Sequence, residues 1–160
     1  MSLKKFRTFL ALTMLGALCV ACSATPRSLQ PPRVEMVGLA VLSPGAASPR
    51  FRVSLLVTNP NTEALPVEAL RFSVRLGGEG VLNGNWAEPV TVAAQGQETL
   101  RVDVDGDLVS SLSRLLAIVQ GPQSALPYEL FGSLTLDRRP PNMFPFNASG
   151  QVPLSATANR

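Results

Sequence analysis

Histidine is missing from all 160 residues, and lysine occurs only as Lys4 and Lys5. Without histidine there is no Ser-His-Asp or Cys-His nucleophile and no His-ligated zinc. Both lysines lie in what reads as a leader, so the exported chain has no amine for a Ser-Lys dyad or a Schiff base. Cysteine is almost as scarce: Cys19 lies inside the leader and Cys22 at its end. An exported chain therefore holds no cysteine pair for a disulfide, in a compartment that permits one. Stability has to come from a packed core. Aromatic residues are 6% of the chain, with Trp86 and Tyr128 the single examples of their kinds. No two carboxylates stand out as a glycosidase pair. These absences argue against an enzyme, and they suggest no cofactor and no small-molecule substrate.

What is present begins with MSLKKFRTFLALTMLGALCVACSA. Lys4, Lys5 and Arg7 precede an apolar run from Phe9 to Ala21 that is too short to span a bilayer comfortably. Small residues end it, so 1–21 reads as a secretory signal. Cys19-Val20-Ala21-Cys22 resembles a bacterial lipobox, with cleavage after Ala21 and acylation of Cys22. Cys19 departs from the pattern, which prefers leucine at that place. The alternative is ordinary cleavage nearby, for example after Ala24, with Cys22 discarded. By resemblance to the lipoprotein sorting rule, Ser23 in the second position points to the outer membrane, facing the periplasm. The expected partners are that membrane, through the lipid anchor, and envelope proteins.

The leader also carries the chain's excess charge. Of 14 basic residues three leave with it, so eleven arginines face 11 acidic residues in the remainder. A net charge near zero offers no basic surface for nucleic acid. Residues 22–32 then form the acylated cysteine and a polar, Pro-rich tether, SATPRSLQPP, whose ten residues reach at most about 35 Å.

The folded module is expected over 33–154, with 155–160 as a tail. Its centre is FRVSLLVTNPNTEALPVEALRFSVRL, from Phe51 to Leu76. Phe51, Val53, Leu55 and Val57 alternate with other residues, as do Leu70, Phe72, Val74 and Leu76, which is the mark of strands with one buried face. Asn59-Pro60-Asn61 joins the two runs as a turn or hairpin corner. Pro60 fixes φ and the asparagines are suited to bonding nearby backbone, rather than to contacting a ligand. Val37, Leu39 and Val41 suggest one face of an earlier strand. Further alternation marks VLNGNW, 89–92, 99–104, 128–136 and 144–152. Between them Leu108, Leu112, Leu115, Leu116 and Val119 fall at helical spacing, with Asp107 as N-cap and Gly121-Pro122 as stop. The pattern predicts a mainly β, all-β-class fold with one helix: an immunoglobulin- or fibronectin-III-like antiparallel sandwich of about seven strands.

Other candidate sites read as structure. Asp103-Val104-Asp105-Gly106-Asp107 hints at calcium but lacks the EF-hand spacing and distal Glu, and no metal site is expected. Gly77-Gly78-Glu79-Gly80 precedes no helix, so a turn is favoured over a phosphate cradle. Asn147-Ala148-Ser149 matches a glycosylation acceptor that a bacterial lipoprotein leaves unused. Trp86 and Tyr128 suit the core better than a sugar platform. Leu56 and Phe131 fall on nominally polar faces and are candidates for an exposed apolar patch.

Several of these segments together resemble the late embryogenesis abundant type 2 family, whose domain is also called the water stress and hypersensitive response domain. The matching residues are Asn59-Pro60-Asn61, Leu65-Pro66-Val67, Leu70-Arg71-Phe72-Ser73-Val74, Pro89-Val90-Thr91-Val92, Asp107–Val119, Tyr128-Glu129-Leu130-Phe131-Gly132 and Pro145-Phe146-Asn147-Ala148-Ser149-Gly150-Gln151-Val152-Pro153. They run in order over about residues 33 to 154. The resemblance implies a sandwich with one helix and a role in desiccation or water stress, with no catalytic residue to carry over. A non-catalytic, lipid-anchored protein of the envelope is the expected function. A binding module holding a protein or glycan through loops or an edge strand is the alternative.

Overall fold

The computed structural model describes residues 29–42, 50–78, 80–105 and 125–156. The leader, Ala21, Cys22 and the expected helix from Asp107 to Val119 lie outside them. The described residues form eight strands: β1 (Arg33–Val41), β2 (Arg50–Thr58), β3 (Leu65–Leu76), β4 (Gly80–Trp86), β5 (Val90–Val92), β6 (Gln97–Asp105), β7 (Ala125–Leu136) and β8 (Met143–Ala156). They form two layers. One is β6-β2-β1, antiparallel throughout. The other is β4-β3-β7-β8, with the short β5 on the same edge of β3 as β4.

The long β8 joins the layers. It runs antiparallel to β7 from Met143 to Pro153, then pairs parallel with β1 through Leu154, Ser155 and Ala156. Among the described residues that is the single parallel pairing; the others are antiparallel.

Period-2 alternation produces the core directly. Phe51, Val53, Leu55 and Val57 of β2 are fully buried, and Leu70, Phe72, Val74 and Leu76 of β3 face them from the other layer. Arg71, Ser73 and Arg75 point to solvent, as the alternation requires. Burying one large aliphatic side chain contributes about 1.5–3 kcal/mol, so these two strands alone supply a large part of the drive to fold.

Two β-bulges break the alternation, and one corrects the sequence reading. Met36 pairs with Leu55 but Gly38 with Ser54, which leaves Val37 as an extra residue on β1. The buried set is therefore Val34 and Met36, then Leu39 and Val41, and Val37 is 41% exposed. Val37 does not share a face with Leu39 and Val41, because an inserted residue reverses the side on which the next ones fall. The same thing happens in β3, where Val67 pairs with Leu136 and Ala69 with Thr135. There the buried series passes from Leu65 and Val67 to Leu70.

Aromatic rings lie over glycines on neighbouring strands. Phe72 is opposite Gly84, and Gly132 is opposite Phe146. A Cβ at Gly84 would collide with the Phe72 ring, and one at Gly132 with the Phe146 ring and the carbonyl of Arg71.

Candidate functional site

The chain around Asn59-Pro60-Asn61 is a corner between layers, not a hairpin. β2 pairs with β1 and β6, β3 pairs with β4, β5 and β7, and the two never pair with each other. A tight crossover leaves backbone groups without ladder partners, and these must be satisfied some other way. Asn59 does this. It is 1% exposed and is the buried polar residue of the described core. Its Nδ2 donates to the carbonyls of Glu63 (2.7 Å) and Ala93 (2.9 Å), with Val92 O further off at 3.3 Å. Its Oδ1 accepts from the Asn61 N–H (2.9 Å) and from Asn61 Nδ2 (3.0 Å). The Asn59 N–H donates to Gly96 O, and the Gln95 N–H to Asn61 O, both at 2.9 Å. One carboxamide thus ties the corner to the β5–β6 turn, where Gln95 has φ of 53°.

Asn61 carries the network outward. Its Oδ1 accepts the Gln30 N–H (2.8 Å) and its Nδ2 donates to Gln30 O (2.9 Å). The side-chain amide mimics a neighbouring strand and pairs with one residue of the lead-in to β1. Leu29 packs against the hydrophobic cluster. Pro31 and Pro32 line an open cleft of about 420 Å³ with Val34, Pro145, Phe146 and Ala148. The segment read from sequence as tether through Pro32 is therefore held to the sandwich from Leu29 onward. Nothing in the composition of SLQPP announces this, because the latch is supplied by a side chain 31 positions away.

The remaining candidates occupy separate places. Asp103 receives two hydrogen bonds from Arg52 (Nε to Oδ1, 2.6 Å; Nη2 to Oδ2, 2.8 Å). The bonds from Arg52 hold its carboxyl below the ordinary carboxylate value; partial burial opposes this, and the charges of Arg52 and Arg50 reinforce it. The Arg52 guanidinium is raised by the same contact. Asp105 is paired with Arg50 at 3.4 Å, so both aspartates are committed to arginines across β2, and Gly106 and Asp107 lie outside the described residues. Gly77 and Gly78, at φ 58° and 83°, turn β3 into β4. That is left-handed backbone, which glycine adopts without steric cost.

Tyr128 is buried at 6% exposure, and its hydroxyl accepts the Met36 N–H at 3.2 Å. Its ring lies close over Gly150 of β8. Trp86 packs half-buried against the core and donates from Nε1 to Glu88 O. Asn147 and Ser149 sit on the outward side of β8. Phe131 is 42% exposed on the outer face of β7, with the Arg75 guanidinium 6.0 Å from its ring centre and Arg75 in turn bound to Glu129 at 2.6 Å. Leu56 is half-buried.

A sandwich of this kind has counterparts among known proteins. The family model described as late embryogenesis abundant protein (LEA_2) matches residues 54–150. The chain belongs to the LEA_2 family. That family is related to water stress. The match begins inside β2, so it includes the Asn59 corner and both ends of β7 and β3. No curated protein matches the chain in sequence. Among solved structures, AT1g01470 from Arabidopsis thaliana superposes with a TM-score of 0.58 at 18% identity, over 87% of this chain and 91% of that one. At2g46140.1, described as a late embryogenesis abundant (LEA) protein, gives 0.49 at 15% identity over 96% and 87%. The first of these establishes the LEA_2-type sandwich as the fold.

Proposed function

We propose that this LEA_2 member is a non-catalytic, lipid-anchored protein of the bacterial cell envelope that protects the membrane or neighbouring proteins when water is withdrawn. Membership of the family carries the reading. The leader ending in Ala21-Cys22 supports the location, with Cys22 as the acylated residue and the outer membrane as destination. The described residues add a domain whose polar interior is closed on itself and whose carboxylates at Asp103, Asp105 and Glu129 are each held by an arginine.

Deleting the gene is the direct test: survival of drying and osmotic shock should fall and be restored by the wild-type copy. Unchanged survival under every such stress would remove the basis for a protective role. Location is tested separately. Mass spectrometry of the mature N-terminus should show an acylated Cys22, and Cys22→Ser should move the protein out of the membrane fraction, since stable anchoring needs more than one acyl chain.

A second reading is favoured by one observation, the exposed Phe131 on a broad sheet face. There the chain would hold a partner protein or glycan. Cross-linking in intact cells that recovered no reproducible partner, in wild type or Phe131→Ser alike, would count against it.

A further inference from the structure

The lead-in to β1 leaves the sandwich at one particular end, and the contacts there are specific. Leu29 packs on the core, and Asn61 grips both backbone groups of Gln30. The loop between β7 and β8, DRRPPN, lies at the same end: the Asp137 N–H donates to Pro66 O at 2.9 Å, just past the corner, and the Leu136 N–H donates to Asn142 O at 2.8 Å. Arg138 and Arg139 are exposed on this loop and take part in none of the three ion pairs among the described residues. Met143, directly after the loop, is 61% exposed.

From these placements we propose that the end of the sandwich carrying Asn61 faces a lipid surface, with Arg138 and Arg139 against anionic headgroups. This rests on the anchor reading above. Only residues 23–28 separate Cys22 from Leu29, and a chain of that length reaches at most about 25 Å. Had the lead-in been free through Pro32, the module could have turned any face to the bilayer. Latched at Leu29 and Gln30, it presents the end that holds the β7–β8 loop. Exposed Glu35, Glu63, Glu98 and Asp137 lie near that end as well, against Arg33 besides the two loop arginines, so the attraction is weak on its own. It acts because the anchor keeps the loop at high effective concentration beside the surface. An arginine close to an anionic bilayer is worth roughly fivefold in occupancy, and the effect fades beyond a Debye length of about 10 Å.

The test uses the acylated protein, in vesicles of phosphatidylethanolamine and phosphatidylglycerol that carry a nickel-chelating lipid. A spin label is placed at Thr62→Cys, beside the corner, or at Gln151→Cys, near the other end of β8. Lipid-borne nickel should relax the label at 62 several-fold more than the label at 151. Arg138→Glu with Arg139→Glu should shrink that ratio, as should Asn61→Ala, and vesicles of phosphatidylcholine should act like the charge reversal. Equal relaxation at both sites, or a ratio indifferent to the arginines, would overturn the orientation. The N-terminal mass of the same preparation separates the two failures: no acyl chains on Cys22 means that the anchor itself is wrong. In that case the Gln30 amide should still exchange more slowly than in Asn61→Ala, which reads the latch independently of any membrane.

Discussion

Replacing Asn59 with alanine tests the corner most sharply. The substitution removes Nδ2 bonds to Glu63 O and Ala93 O and the Oδ1 bond from the Asn61 N–H, all between 2.7 and 2.9 Å. Each such bond contributes about 1 kcal/mol net, and a buried group left without a partner costs about 1–3 kcal/mol more. Glu63 and Ala93 are exposed and their carbonyls can recover water; Val92 is buried, and the longer bond of 3.3 Å to its carbonyl is lost where water does not replace it. The sum is about 4–6 kcal/mol, a large share of the 5–15 kcal/mol typical of a domain. Asn61→Ala should cost only about 1 kcal/mol, since the groups of Gln30 that it abandons face solvent.

Urea unfolding followed by Trp86 fluorescence, on mature chain carrying Cys22→Ser, gives both numbers. With a slope of about 2 kcal/mol/M, Asn59→Ala should lower the midpoint by roughly 2–3 M. Asn59→Asp should be worse than alanine at neutral pH, because it sets a carboxylate where three carbonyl oxygens converge. A shift under about 0.5 M for Asn59→Ala, or equal shifts for Asn59→Ala and Asn61→Ala, would show that the network is ornamental and that the core alone sets the corner.

Phe72→Ala should cost about 3–5 kcal/mol by opening a cavity over Gly84, while the exposed Arg71→Ala should change the urea midpoint little; similar small effects would mean the face assignment is wrong. Tyr128→Phe keeps the ring but strands the buried Met36 N–H, so a loss of about 1–3 kcal/mol is expected by the same assay; no loss would mean that the N–H has another acceptor. Asp103→Asn should change how stability depends on pH. The folded-state value of Asp103 lies below 3.8, so its ionised form stabilises the fold above that pH and the contribution disappears as pH falls through the folded value. The midpoint difference between wild type and Asp103→Asn should therefore be steady from neutral pH to about 4 and vanish below it; a difference that persists in acid would refute the ion pair as its source.

How much of this was legible in the sequence depends on whether an element obeys a local rule. β2 and the second half of β3 keep strict alternation, and their faces could be assigned residue by residue. β1 could not, because a bulge shifts Met36 to Leu39 by three positions, and a period-2 reading that starts at Val41 arrives at Val37 instead of Met36. The spacing Val34, Met36, Leu39, Val41 was the available signal: two alternating pairs offset by one residue. The division of strands between layers was out of reach for another reason. Whether Asn59-Pro60-Asn61 folds β3 back on β2 or sends it to the opposite sheet is decided by partners at Ala93 and Gly96, contributed by a later turn. Both asparagines bond backbone through their side chains. What the chain does not spell is that the two have different duties, Asn59 inward and Asn61 toward Gln30.

The division of labour bears on what a protein of this kind has to withstand. Apolar burial is a response to liquid water, and it weakens as a driving force when water is removed. Hydrogen bonds behave oppositely, because they strengthen as the surrounding dielectric falls, while an unpaired buried group becomes more costly. A sandwich suited to drying should therefore leave no interior polar group dependent on solvent. Among the described residues every buried side-chain nitrogen and oxygen has a hydrogen-bond partner, and the corner where ladder pairing fails is the place where Asn59 supplies the missing partners. Exposed arginines bonded to Asp103 and Glu129 extend the same logic to the surface, since ion pairs worth little in water gain strength as screening is lost. Under the proposed function, the Asn59 corner, which lies inside the stretch matched by the family model, is the feature that lets the fold persist when the solvent that formed it is withdrawn.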